Sequence, residues 1–484
     1  QRHQQGTREK SMTSVKVSPL NKIAYGIGSV AFGIFGAGFD YFFLLFYSQV
    51  MGVDAYLVGL ALLIALVIDA FSDPLIGYFS DNTHHRWGRR HPFMYAAAIP
   101  VALSYFFVWN PPASLSGNDL FPYILVLAIV VRTMITVYEI PHSALVAEIT
   151  DDYDERTSIL SYRFFFGWAG GTLMGFYALT YLLVPTATIS NGLFNLDGFA
   201  QMGLISSVVI FVAIMVSSIG THNFIPNLKL PPPKTKISIT RIYKDIFETL
   251  WNRSFVALFA AALFGAIGTG VATGLSHYIN SFFWGFSTVQ LGQISLSVAL
   301  SAVIALIVTP VISKKFGKKR AAITVGLFAF TILPATITLR LFGLMPDNGD
   351  PRLFPLMLII TIIDVSLIIS YQTLATSMIA DLVELSEVKT GRRSEGVFFA
   401  SMTFVKKFVQ GFGVVMATTI LTIASFPVAV TPDNVPADAL FRLGALYVPT
   451  VVTVWMLMIF CISYYEVNRD KHKANLNTLG RRGN

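Results

Sequence analysis

Apolar runs long enough to cross a bilayer recur about twelve times along this chain of 484 residues. No other feature limits its fold as strongly. Hydrocarbon holds no water to satisfy backbone N–H and C=O groups, so a spanning segment must be a helix or part of a closed barrel. Barrel strands are about ten residues long and alternate apolar with polar positions. The runs here are longer and apolar throughout, at about 22–50, 55–80, 92–110, 121–148, 158–184, 199–221, 254–283, 288–313, 320–343, 354–380, 395–425 and 437–465. They predict an all-α membrane protein with twelve transmembrane helices. Only 13% of the residues are charged, against about 25% in soluble domains. The net charge of +8 is not a nucleic-acid signal, because the basic residues gather in alternate loops. The single cysteine, Cys461, lies in an apolar run and leaves no internal disulfide.

Those loops set the expected orientation. Arg86, Arg89 and Arg90 follow span 2, Lys229 to Lys244 follow span 6, Lys314 to Arg320 follow span 8, and Lys389, Arg392 and Arg393 follow span 10. The intervening loops are poor in Lys and Arg, with Arg352 and Arg442 as exceptions. The positive-inside rule then places the basic loops and both termini in the cytoplasm, with the protein in the cell membrane. The turns Arg86-Trp87-Gly88-Arg89-Arg90 and Lys314-Lys315-Phe316-Gly317-Lys318-Lys319-Arg320 occupy matching places after spans 2 and 8. This repeat predicts two parallel six-helix halves. The expected organisation is a polar N-terminus at 1–18, disordered or appended and without a secretory signal; a first half at 19–222; a cytoplasmic linker at 223–252 containing Pro231-Pro232-Pro233; a second half at 253–466; and a tail at 467–484.

Charge buried in the spans points to function. Asp69 and Asp73 stand about one helical turn apart in span 2, so both carboxylates share a face. A carboxylate at bilayer depth costs at least a few kcal/mol, and such residues mark ion or proton pathways. Pro74 frees a backbone carbonyl near Ala70. That carbonyl, Ser72 and the two acids make an oxygen-rich place for a hard cation, a metal site at Asp69 and Asp73 if the ion is Na+, or for a proton. Thr136 and Glu139 lie on one face of span 4 and join the acids if the two spans are neighbours. Alternatively, Glu139 pairs with Arg132 or Arg163. Arg163 offers a planar fork to a carboxylate or to solute oxygens. In span 11, Lys406 and Lys407 follow Thr403 and point about 100° apart, so one of them faces the cavity. Gln372 in span 10 is a further polar candidate. Gly167, Gly171 and Gly175 form a small-residue packing stripe. Asp81 with Arg86, Arg89 and Arg90, and Glu395 with Arg392 and Arg393 in the second half, read as gates of charge-assisted bonds at the cytoplasmic ends.

Taken together, Gly77…Asp81…Gly88-Arg89-Arg90 and the twelve spans resemble the major facilitator superfamily. Asp69-Ala70-Phe71-Ser72-Asp73-Pro74, Glu139-Ile140-Pro141, Asp151-Asp152-Tyr153-Asp154-Glu155-Arg156, Tyr162-Arg163-Phe164-Phe165 and the Ala380–Gly396 segment are similar to the glycoside–pentoside–hexuronide:cation symporters, melibiose permease among them. The resemblance implies a cation site at Asp69, Ser72, Asp73 and Thr136, and solute contacts at Glu139, Arg163 and Lys407, with Gln372 and Thr403 as further solute candidates. It also implies departures: a sugar-binding aspartate of helix 1 aligns with Gly33, and a sugar-stacking aromatic of helix 4 aligns with Ser143. Asp40 lies two turns after Gly33. The expected function is cation-coupled symport of a sugar or glycoside by alternating access, with Na+ or H+ as coupling ion and no other cofactor. The rival readings are a lysolipid transporter of the same fold and a non-transporting receptor. A metalloprotease helix, a Walker loop and a nucleophile elbow are all missing from the sequence, which argues against an enzyme. The expected partners are a small solute and the bilayer.

Overall fold

The computed structural model describes residues 17–150, 153–227, 240–241, 243–244, 247, 256–390 and 395–464. Twelve long helices are present among them. Helix α1 runs Pro19–Val50 and includes π-helical turns at Gly38–Phe42 and Phe46–Val50. It is followed by α2 (Ala55–Asn82), α3 (His91–Trp109), α4 (Phe121–Ile149), α5 (Tyr153–Tyr177, with a π turn at Ala178–Leu182) and α6 (Leu196–Gly220). The second six are α7 (Val256–His277, with a π turn at Tyr278–Phe283), α8 (Thr288–Phe316), α9 (Lys318–Leu341), α10 (Leu353–Thr390), α11 (Glu395–Ile423) and α12 (Ala437–Ser463).

Among the described residues, eleven helices are long and apolar enough to cross a membrane. The remaining one, α5, carries Asp154, Glu155, Arg156 and Arg163 in its first turns and is less apolar. Helix α10 runs on to Thr390, ten residues past the span expected from hydropathy. Local chemistry places several ends. Ser18 caps α1 by accepting from the Asn21 N–H, with Pro19 in the first turn. Ser287 and Gln290 form a reciprocal capping box at α8. Gly317 adopts φ +76° between α8 and α9, a left-handed turn that side chains resist.

The packing repeats. In the first half α1 lies against α5 and α6, α2 against α4, and α3 against α4 and α6. In the second half α7 lies against α11 and α12, α8 against α10, and α9 against α10 and α12. Each contact thus recurs six helices later. Across the halves α2 meets α11, α5 meets α8, and the π turn of α1 meets α7. The α1–α5 approach is close enough to need glycine. A Cβ added to Gly33 would run into the Gly167 carbonyl and lie 3.0 Å from the Gly171 nitrogen.

Candidate cation and solute site

Helices α2, α4 and α11 converge on Asp69 and Asp73. Both acids are buried, at 3% and 9% exposure. Thr136 of α4 donates its hydroxyl to Asp69 Oδ1 at 2.7 Å. Arg132, one turn earlier, holds Asp69 Oδ2 at 3.6 Å. Its guanidinium lies over the Phe35 and Phe39 rings of α1, at 5.4 and 5.2 Å from their centroids. From the other half, Lys407 Nζ contacts Asp69 Oδ2 at 3.2 Å and Asp73 Oδ2 at 2.6 Å. That contact misses hydrogen-bond geometry, and neither Asp73 oxygen has a hydrogen-bond donor. Ser72 donates to the Asp69 backbone carbonyl at 3.0 Å, not to a carboxylate.

The donor set fits a small cation. The Asp69 and Asp73 carboxylates and the Thr136 hydroxyl are hard oxygen ligands. An ammonium now stands between the acids. Lys407 is therefore the member of its pair that meets the two aspartates, and Lys406 is exposed. Sequence reasoning had Lys407 as a solute contact; the structure puts it on the two aspartates.

The remaining candidates fall elsewhere. Arg163 donates to Glu139 Oε1, tying α5 to α4, while Glu139 Oε2 is buried without a partner. Glu139 thus pairs with Arg163, and Arg132 goes to Asp69. Thr403 and Gln372 are exposed positions of α11 and α10. Ser143 donates to the Ile140 carbonyl at 2.9 Å. At the basic-loop end, Arg90 bonds Asp81, Ser80 and Glu148, and Arg89 bonds the same Glu148 oxygen at 2.8 Å. Arg86 stands apart, over the Trp87 ring at 5.3 Å. This network joins α2, α3 and α4 within one half. Arg392, Arg393 and the Glu395 side chain lie outside the described residues.

Two participants were missed. Glu148 is the shared acceptor of Arg89 and Arg90; an acid in the last turn of a long apolar helix was its only signal. Gln49, in the second π turn of α1, bonds to the second half. Its amide donates to the Pro427 carbonyl at 3.1 Å and to Tyr278 at 3.5 Å, and its oxygen accepts from the Val430 N–H at 3.2 Å. Glutamine in an apolar run carries no sequence mark of a bond 381 residues away.

The sequence model of the family described as "MFS/sugar transport protein" matches residues 24–469. The chain belongs to this family. It is similar to the inner membrane symporter YicJ of Escherichia coli, 24% identical over 97% of this chain and 96% of that protein. It is equally similar, 24% over 93% of this chain and 89% of the other, to the isoprimeverose transporter of Lactiplantibacillus pentosus. The sodium-dependent lysophosphatidylcholine symporter 1 of Gallus gallus is 22% identical over 96% of this chain and 89% of its own. Among solved structures, a D-xylose–proton symporter superposes with a TM-score of 0.59 at 14% identity, covering 90% of this chain and 97% of that one. That likeness is one of fold. The chain is a multi-pass membrane protein of the major facilitator fold.

Proposed function

We propose that this protein is a cation-coupled symporter of a sugar or glycoside, working by alternating access. The observation that carries the reading is the Lys407 ammonium held between Asp69 and Asp73 across the interface of the halves. A coupling cation entering this site takes the same oxygens and releases Lys407. Without the ion, Asp69 and Asp73 are balanced by Arg132 and Lys407, and the empty carrier keeps its halves tied. With the ion bound, the α2–α11 tie opens and Lys407 is free for solute. A transporter needs coupling of this kind, in which occupancy changes a contact between its moving halves.

The moving units are the halves at 19–222 and 253–466, joined by the 223–252 linker. Recurrent packing within each half supports that division. The Asp81–Arg90–Glu148 network stiffens the cytoplasmic end of the first half, and the Gln49 contacts close the extracellular end. Both termini are cytoplasmic in the cell membrane, on the distribution of basic loops. The sugar and glycoside relatives support the solute class. The lysophosphatidylcholine relative favours a second reading, an amphiphile carrier using the same cation site.

The experiment is uptake into proteoliposomes of labelled isoprimeverose or labelled lysophosphatidylcholine, under an imposed Na+ or proton gradient. Concentrative isoprimeverose uptake, abolished in Asp69→Asn and Asp73→Asn, supports symport of glycoside. Uptake of lysophosphatidylcholine alone moves the reading to the lipid. Gradient-independent exchange in both aspartate variants and the wild type rejects the coupling site.

A further inference from the structure

We infer that an anionic phospholipid binds at the basic-loop ends of α3 and α6, with an acyl chain in the groove between them and its phosphate at Arg86. The site lies on the outside of the first half and is independent of what the protein carries.

The groove holds about 430 Å3 of open space, within the size range of small-molecule sites. Trp87, Tyr95 and His222 line its head, and Ile99, Phe211 and Met215 line its wall. Helix α3 begins at His91 and Ile99 lies about two turns further on, so the groove runs about 12 Å down the helix. One leaflet contributes about 15 Å of hydrocarbon. Ile99 and Phe211 are 59% and 36% exposed, so the wall opens sideways to lipid. A soluble anion gains nothing from an apolar wall of that depth. An acyl chain lies along it.

The head is built from three rings in mutual contact. The Trp87 centroid lies 5.5 Å from Tyr95 and 6.2 Å from His222, and Tyr95 lies 5.9 Å from His222. Amphipathic rings of this kind settle at headgroup level in a bilayer. Hydrogen bonds fix the imidazole. The Tyr95 hydroxyl donates to the Ser218 carbonyl at 3.1 Å, so its oxygen accepts from His222 Nδ1 at 3.0 Å. Nε2 of His222 is left with no partner among the described residues. In this tautomer it is an acceptor, suited to a hydroxyl of the headgroup.

Charge selects the lipid. The Arg86 guanidinium stands over the Trp87 ring, 5.3 Å from its centroid. Arg89 and Arg90 are engaged by Glu148 and Asp81. Arg86 meets no carboxylate among the described residues. A cation without an acid, beside an apolar groove at the membrane surface, complements a phosphate that is joined to an acyl chain. A zwitterionic headgroup brings its own ammonium and leaves Arg86 with little net attraction. A phosphate with a hydroxylated headgroup, as in phosphatidylglycerol, answers both Arg86 and His222.

The test is thermal unfolding of purified full-length protein in detergent, titrated with dioleoyl phosphatidylglycerol, dioleoyl phosphatidylcholine or glycerol phosphate. Phosphatidylglycerol is expected to stabilise saturably, and phosphatidylcholine to need at least about fivefold more for the same effect. Glycerol phosphate should have no effect. Arg86→Ala is expected to raise the phosphatidylglycerol midpoint about fivefold, the worth of one surface cation toward anionic lipid, and to leave the phosphatidylcholine midpoint within about twofold. Ile99→Trp, which fills the wall, should raise both midpoints at least about tenfold. Lys314→Ala removes an exposed cation from the matching turn of the second half and should move the phosphatidylglycerol midpoint by less than about twofold. A Lys314→Ala shift as large as that of Arg86→Ala means general surface charge and overturns the inference. So do equal midpoints for the two lipids, or an equal response to glycerol phosphate, which makes the site one for a soluble anion. A wild-type midpoint in Ile99→Trp removes the acyl chain from the groove. If Ile99→Trp does not fold, Arg86→Ala decides alone, and an unmoved phosphatidylglycerol midpoint there overturns the assignment.

Discussion

Replacing Lys407 by alanine removes the ammonium that contacts Asp69 Oδ2 at 3.2 Å and Asp73 Oδ2 at 2.6 Å. Among the described residues, the two carboxylates one turn apart then keep Arg132, which reaches Asp69 at 3.6 Å, and the Thr136 hydroxyl. Removing one partner of a buried ion pair costs about 3–5 kcal/mol. The Lys407 side chain is 24% exposed, so water offsets part of the loss and the lower figure, about 3 kcal/mol, applies. The same free energy opposes an external cation in the unaltered protein, because ion and ammonium compete for the same oxygens. Lys407→Ala is therefore expected to bind the coupling cation about 100-fold more tightly, since each 1.4 kcal/mol is a factor of ten. The assay is thermal unfolding of the purified protein, titrated with NaCl against choline chloride at constant ionic strength, and repeated across pH. The variant should be less stable than wild type in choline, and its stability should return at a cation concentration about 100-fold below the wild-type midpoint. Equal stability in choline with an unmoved midpoint for both Na+ and protons would falsify the competition. The double variant Asp73→Asn/Lys407→Ala should recover much of the lost stability, because one acid and one base leave together.

Glu148→Gln takes the shared negative charge from Arg89 and Arg90 and should lower stability by about 3 kcal/mol. Arg86→Ala, which loses only an exposed contact over Trp87, should change it by less than about 1 kcal/mol in the same unfolding assay. Gly33→Asp, which returns an acid to helix 1 at its family position, should yield no folded protein by gel filtration, because the α5 backbone fills that space. Gly36→Ala, with nothing within 4 Å of the added carbon, should fold normally. Gln49→Leu breaks three contacts between the halves, and a cysteine reporter at Leu44 should then alkylate faster; an unchanged rate argues against the seal. Asp350 lies outside the spans, and its bonds to Arg352 pull its carboxyl from 3.8 to about 2. A lowered value stabilises above the ordinary one and is lost as pH falls from about 4 through 2. Asp350→Asn should therefore be less stable than the unaltered protein by a constant margin across pH 5–8, a margin that closes as pH falls from about 4 through 2.

Much of the site was legible in the sequence, for a definite reason. Acids and bases at bilayer depth are conspicuous because hydrocarbon makes them expensive. Asp69, Asp73, Thr136, Glu139, Arg163 and the 406–407 lysine pair all stand out in apolar runs. Helical spacing also gave which of them share a face. Their pairings were not legible. Arg132 and Arg163 were equal candidates for Glu139, and Lys407 carried no sign that it would sit on aspartates more than 300 positions earlier. Gln49, an uncharged residue near a helix end, gave a weaker signal still.

By itself the amino-acid order marked out the long apolar helices, where several of them begin, and which turns carry charge. Those properties are local: backbone groups in lipid must bond within their own segment, and caps such as Ser18 and Ser287 act within a turn. Tertiary structure decided which charges meet. Opposing faces are matched by how whole helices pack and slide between the two halves, and that register is set by many small contacts such as Gly33 on Gly167. A single segment does not contain that information. Lys407 between two acids and Glu148 shared by Arg89 and Arg90 therefore emerge only once the twelve helices are assembled.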